Sequence, residues 1–153
     1  MKPVRFHSWN ISPNEAIAIQ SNLRKKIIFS PTNEDIRFIG GTAVAFDAGK
    51  NIIHAALTVL KYPSLEIVEQ NGVSQEITFD YISGLLTFRE GAPLMSLFRK
   101  TDQDVDLIVF HSHGQSHPRR FGLASHLGVL LDVPSIGVSN KMLVGIHDHL
   151  SQQ

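Results

Sequence analysis

The sequence predicts an α/β fold: a mixed sheet opened by an antiparallel three-stranded meander and completed by a β-α-β unit, with helices packed on the sheet. Three observations predict it. Runs rich in β-branched residues at 38–46, 52–61 and 65–79 follow one another with little but turn residues between them. A stretch with helical apolar spacing, 85–98, comes next. Two short β-branched runs, 106–110 and 135–138, then bracket residues 121–131, which are apolar on nearly all sides.

Ahead of the meander, Ser12, Pro13 and Glu15 read as an N-cap, a first-turn proline and a capping-box partner. The apolar residues Ile17, Ile19, Leu23, Ile27 and Ile28 follow, so a helix is expected to run to about Phe29, before Pro31. Asp47, Ala48, Gly49 and Lys50 form a turn signal between the first two strands. Tyr62, Pro63 and Ser64 turn the chain into a third strand, which starts at Leu65 and extends past Asn71 and Gly72. Leu85, Leu86, Phe88, Leu94, Leu97 and Phe98 mark the second helix, with a bend or restart expected at Pro93. Residues 121–131 should be a buried helix, with Gly122 and Gly128 allowing close backbone approach, and 135–138 a short buried strand. No repeat or low-complexity segment interrupts this order, and residues 1–153 are expected to form a single domain.

Hydrophobic residues make up 42% of the chain, enough for one ordinary core. The 14 basic and 14 acidic residues cancel, so no global field draws the protein onto a polyanion, and any nucleic-acid contact must come from a local patch. The absence of cysteine excludes a disulfide framework, thiolate zinc sites and cysteine nucleophiles, and is compatible with a reducing cytoplasm. With no apolar run long enough to span a bilayer and no apolar N-terminal stretch, a cytoplasmic protein without membrane contact is expected.

The densest polar cluster is His111-Ser112-His113-Gly114-Gln115-Ser116-His117-Pro118-Arg119-Arg120, between an expected buried strand and an expected buried helix. Ligands of open α/β sheets collect at the carboxyl ends of strands. Four of the eight histidines fall between 111 and 126. Gly114 permits close backbone approach, and Arg119 and Arg120 supply phosphate-type donors near a helix start. The run His111-Ser112-His113 also begins the zinc motif of the JAMM metalloproteases. That family requires a proline where Gly114 stands and an aspartate where Ser125 stands, so the likeness ends there.

A longer match is to the endonuclease V family. It is carried by Leu60-Lys61-Tyr62-Pro63-Ser64-Leu65-Glu66, by Gly84 to Leu86 with Phe88-Arg89-Glu90, and by His113-Gly114 with Ser116-His117-Pro118-Arg119-Arg120. It continues through Gly122, Ala124-Ser125-His126, Asp132-Val133-Pro134 and Ile136-Gly137-Val138, and is strongest over 38–143. The resemblance implies a ribonuclease H-like fold and metal-dependent cleavage of DNA or RNA near inosine, the product of adenine deamination. In such enzymes acidic side chains hold magnesium, which activates water.

The resemblance places three such carboxylates on this chain at Ala43, Glu90 and His111, so two are replaced. One charge at about 4 Å in an effective dielectric near 20 is worth about 4 kcal/mol. Magnesium should therefore bind weakly or not at all, whereas manganese or zinc would tolerate an imidazole at His111. Asp47 is no obvious substitute, since four residues of strand separate it from Ala43 by about 13 Å. Glu90 and His117 are the candidate catalytic residues, and Glu90 with His111 the candidate metal ligands.

The candidate nucleic-acid contacts are Tyr81, Ile82, His113, Gly114, Arg119, Arg120 and Lys141. Tyr81 and Ile82 match the centre of the family's base-reading wedge, whose flanking prolines are here Asp80 and Ser83. Lys141 adjoins Asn140, the position of a family lysine. Family members continue beyond the position of Gln153 with a late catalytic histidine, for which His147 and His149 fall too early. The implied function is an endonuclease V-like protein, catalytically impaired and binding inosine-containing DNA or RNA. An active enzyme with an altered metal site is the alternative, and a non-catalytic scaffold or relic, with a protein partner or self-association at an uncovered edge, is another.

Overall fold

The computed structural model describes residues 3–29 and 35–146; His147 and His149 lie outside them. Helix α1, Pro13–Leu23, begins on the expected capping box: the Ser12 amide donates to the Glu15 carboxylate at 2.8 Å and the Glu15 amide to Ser12 Oγ at 3.4 Å. It ends earlier than expected, closing in a 3-10 turn over Arg24–Lys26, after which Ile27 is extended. The β-branched pair Ile27 and Ile28 favours that extended backbone over further helix. The buried stripe also differs from the isoleucines: Ala16 and Gln20 are the fully buried residues, whereas Ile17 faces out.

Strands β1 (Phe38–Asp47), β2 (Ile52–Lys61) and β3 (Glu66–Glu76) form the meander. Asp47 caps the first turn, accepting from the Lys50 amide at 3.2 Å and pairing with its ammonium at 3.4 Å. The second turn contains a cis Tyr62–Pro63 peptide. β3 is one strand, with a register shift opposite Val59 and Leu60. Helix α2, Leu86–Lys100, leads to β4 (Leu107–His111), α3 (Leu123–Leu131) and β5 (Ser135–Val138). Sheet order is β3-β2-β1-β4-β5, with β4 parallel to both β1 and β5. This is the mixed, ribonuclease H-like sheet that the sequence predicts.

Helix α2 runs unbroken through Pro93. An interior proline costs about 3 kcal/mol, but burying one large apolar side chain returns about 1.5 to 3. Leu94, Met95, Leu97 and Phe98 are all buried beside it, so packing wins. These residues meet Ala55, Leu57 and Val59 of β2, Ile108 and Phe110 of β4, and Leu127 and Leu130 of α3 in the main core. Gly122 opens α3 where a Cβ would stand 2.3 Å from the His113 carbonyl, the close approach its sequence position implied.

β5 corrects an expectation: it is a strand but not a buried one, Ile136 and Val138 being 48% and 51% exposed. Among the described residues it is an edge strand of the sheet, and α3 packs on one face of it. Among the described residues no helix is long and apolar enough to cross a membrane.

The segment before α1 straps the helices together. The Val4 amide donates to the Leu130 carbonyl at 2.9 Å, Arg5 pairs with Asp132 at 3.3 Å, and the Trp9 ring lies over Gly91. His7 and His126 meet through their Nε2 atoms at 2.8 Å. His7 Nδ1 lies 2.8 Å from the Ser8 carbonyl, which can only accept, so His7 holds its proton on Nδ1 and His126 donates from Nε2. Both imidazoles are pushed below their ordinary pKa by burial, His126 further by the charge of His7. For a base with a depressed folded pKa the unfolded chain binds more protons, so stability is full above about pH 6.5 and falls as pH drops below it. Chemical denaturation at pH 7.5 and 5.5 should show that loss, reduced in His126→Phe; an equal loss in the variant would place its origin elsewhere.

Candidate nucleic-acid and metal site

β1, β3 and β4 run in the same direction, so the loop leading into α2, the start of α2 and the end of β4 gather at one end of the sheet. His111 closes β4 and is exposed. Ala43 and His111 stand one step beyond the paired Thr42 and Phe110 on adjacent parallel strands. Phe110 and Gly40 point into the core, so by strand alternation Ala43 and His111, both exposed, share the opposite face.

Glu90 lies on the sheet-facing stripe of α2 with Thr87, Leu94 and Leu97, and is 7% exposed. Burial pushes its carboxyl up to about 7, against the lowering influence of Arg89. That guanidinium is directed elsewhere: it donates to the Phe79 carbonyl at 2.8 Å and sits 5.1 Å from the centre of the Phe46 ring. Among the described residues no salt bridge reaches Glu90.

Beside the start of α2 is a cavity of about 150 Å³ lined by Tyr81, Ile82, Gly84, Thr87, His113 and His117, among others. Tyr81 stands at its rim, 71% exposed, while Ile82 packs against the small cluster of Ala16, Phe79, Leu85 and Phe88. Gly84 has φ +79°, and a Cβ there would stand 2.8 Å from Arg119 Nη2, so the position demands glycine twice over. Gly84→Ala should cost at least about 1 to 2 kcal/mol from the backbone alone. A melt showing a smaller loss would mean that Arg119 withdraws freely.

The polar loop is built around the Gly84 carbonyl. His117 Nδ1 accepts from the Arg119 amide at 3.2 Å, so its proton is on Nε2, which donates to Gly84 O at 3.0 Å. Burial holds His117 below its ordinary pKa. Both of its nitrogens are thus engaged by backbone. Arg119 donates from Nη2 to the same carbonyl and from Nε to Gln20 Oε1 at 2.6 Å. Arg120 is exposed with φ +55°, and His113 donates from Nε2 to the Lys141 carbonyl at 2.7 Å. The carbonyl of Gly114 accepts from the Gly122 amide at 2.8 Å.

The structure therefore brings Tyr81, Ile82, His113 and His117 around one cavity and leaves Glu90 beneath the sheet end. Arg119 and Gly114 are turned to internal bonds. Gln20, absent from the sequence-based site, is a member of the network; its spacing four residues after Ala16 was the available signal. Magnesium takes an all-oxygen shell. Glu90 with Ala43 and His111 does not provide one, and no group of three or more His, Asp or Glu among the described residues is placed to hold a metal.

The family model for Endonuclease V matches residues 21–153. An Endonuclease V of Gloeobacter violaceus is 41% identical over 145 residues, 94% of this chain and 59% of that protein. The crystal structure of the Streptomyces avermitilis Endonuclease V superposes with a TM-score of 0.82 at 36% identity, over 88% of this chain and 60% of that one. The Ciona intestinalis Endonuclease V, solved with a 24mer DNA containing an inosine followed by a ribo-adenosine, gives 0.78 at 30% identity, over 87% and 59%. The chain thus spans about three fifths of the length of these relatives. Fold, loop order and match agree along most of its length, and on them the chain belongs to the endonuclease V family.

Proposed function

We propose that this protein binds nucleic acid carrying a deaminated purine, seating the base in the cavity beside Tyr81, with phosphodiester cleavage impaired. One observation carries the reading: Glu90 is buried with no salt bridge among the described residues, and the two positions expected to share a metal with it hold Ala43 and His111. The binding half is supported by a cavity of about 150 Å³ with an exposed aromatic ring at its rim. A base drawn out of its stack needs both an enclosing pocket and an aromatic face. The inosine-containing DNA bound by the Ciona protein supports the same substrate class. Residues 1–153 act in this reading as one unit, and Arg120 and Lys141 supply exposed cations for the phosphates.

The altered-metal alternative would draw on Glu90 and His111, with His113 Nε2 already donating to the Lys141 carbonyl; among the described residues that is too few donors for a tight manganese or zinc site. The test is binding and cleavage of inosine-containing DNA and RNA against adenosine controls, with magnesium or manganese, alongside Glu90→Ala. Inosine-dependent binding without cutting is the expected result, and cutting abolished by the variant overturns the impaired-site reading. A second reading, association with a protein or another copy, is favoured by the groove of about 1270 Å³ along β5, bordered by exposed Ile28, Phe29, Ile136 and Met142. Light scattering across a concentration series separates the two.

A further inference from the structure

We infer that Gln20, on α1 and outside the cavity, is a positioning residue that sets the shape of the base pocket by holding the Gly84 carbonyl from behind. Gln20 is fully buried. Its Nε2 donates to Gly84 O at 3.1 Å and to Phe121 O at 3.5 Å, while its Oε1 accepts from Arg119 Nε at 2.6 Å. The amide orientation is not free: two carbonyls can only accept and a guanidinium can only donate, so a flipped amide would oppose all three partners. Three donors, from Gln20, Arg119 and His117, therefore converge on one carbonyl at the base of the Tyr81 loop.

Gly84 and His117 line the cavity; Gln20 and Arg119 do not. The two act through the wall, fixing the Gly84 peptide and through it the Tyr81–Ile82–Ser83 segment. Without Gln20, Arg119 Nε is left half-buried without its acceptor and the peptide is free to rotate. A pocket that rejects the wrong base by the placement of backbone polar groups would then lose discrimination more than affinity. This rests on the base-binding reading above.

The experiment compares wild-type, Gln20→Leu, Gln20→Glu, Arg119→Leu and the double variant Gln20→Leu/Arg119→Leu. It measures binding to inosine- and adenosine-containing strands, with circular dichroism melts to establish that each is folded at the assay temperature. Gln20→Glu keeps the acceptor for Arg119 and removes the donor to Gly84. Both Gln20 variants are expected to lose about tenfold in the inosine-to-adenosine ratio, roughly one positioned hydrogen bond, with adenosine-strand affinity unchanged. The double variant should lose no more than the larger single effect, the two residues sharing one acceptor.

A wild-type preference for inosine that survives in Gln20→Leu overturns the inference and leaves the base-binding reading intact. Should wild-type itself show no preference, that reading fails, and amide exchange decides the anchor separately. The Leu85 amide, bonded to Ile82 O at 2.9 Å, should exchange at least about tenfold faster in Gln20→Leu if the carbonyl clamp holds this turn. Unchanged exchange sinks the inference on its own.

Discussion

Replacing Glu90 by glutamine should make the protein more stable, by an amount that grows as pH rises from 4.5 to about 7 and levels off above it. The folded-state pKa of about 7 lies above the ordinary carboxyl value of 4.5, so the folded protein holds this proton more tightly than the unfolded chain does. Stability from this group is full below pH 4.5, declines as pH rises through 7, and is lower by about 3 kcal/mol at pH 8. Glutamine keeps the shape without the charge. At pH 8 the variant should gain up to that amount, which for a chain of this size is roughly 6 to 12 °C in melting temperature. At pH 4.5 it should gain nothing. Comparing the two proteins at each pH cancels the opposite trend from His7 and His126. Equal stability at pH 8 would mean that the ionised carboxylate has a partner in solution, and Glu90 would then not be a ligand robbed of its counter-charge.

A buried ionisable group that destabilises its own fold is rarely kept by packing alone. Thr87 and Leu94 flank Glu90 on the same stripe, and either would pack there without a desolvation cost. The burial of Glu90 is legible in the sequence, because its spacing from Leu94 and Leu97 is helical and all three fall on one face. The strand limits of β2 and β5 are legible too, since β-branched runs bounded by turn residues leave little choice of ends. The burial of β5 is not: a run of four residues reads the same whether or not an element covers its second face. The early end of α1 escapes the pattern because Ile27 and Ile28 continue the apolar spacing while their branched side chains oppose helix.

The polar loop is legible as a cluster but not in its wiring. Arg119 reads as a phosphate ligand because two adjacent arginines near a helix start are commonly that. Its actual partners, Gln20 and Gly84, lie 99 and 35 residues away, and no local pattern reports them. The same distance hides the His7–His126 contact, made across 119 residues. Periodicity says which residues face inward; it does not say which inward-facing polar groups will meet.

Placing carboxylates at residues 43 and 111 is the sharper test of the proposed impairment. In Ala43→Asp/His111→Asp the new side chains stand on adjacent parallel strands about 4.8 Å apart, on the same face, level with the end of β4. In water alone the double variant should be less stable than the parent, because two like charges are brought together on adjacent strands. Magnesium should reverse this. A cation that binds only the folded state stabilises it by about 2.7 kcal/mol at a hundredfold excess over Kd. The melting temperature of the double variant should therefore rise with magnesium, while that of the parent, with Ala43 and His111, stays flat. Adding Glu90→Gln to the double variant should remove most of the response if Glu90, which starts from the helix-covered side of the sheet, reaches round to the same ion. A double variant indifferent to magnesium would show that Glu90 does not converge with residues 43 and 111, and the family's metal geometry would then not describe this sheet. A parent already responsive to magnesium would show that Glu90 recruits ligands other than residues 43 and 111, and cleavage would have to be sought again with that metal present.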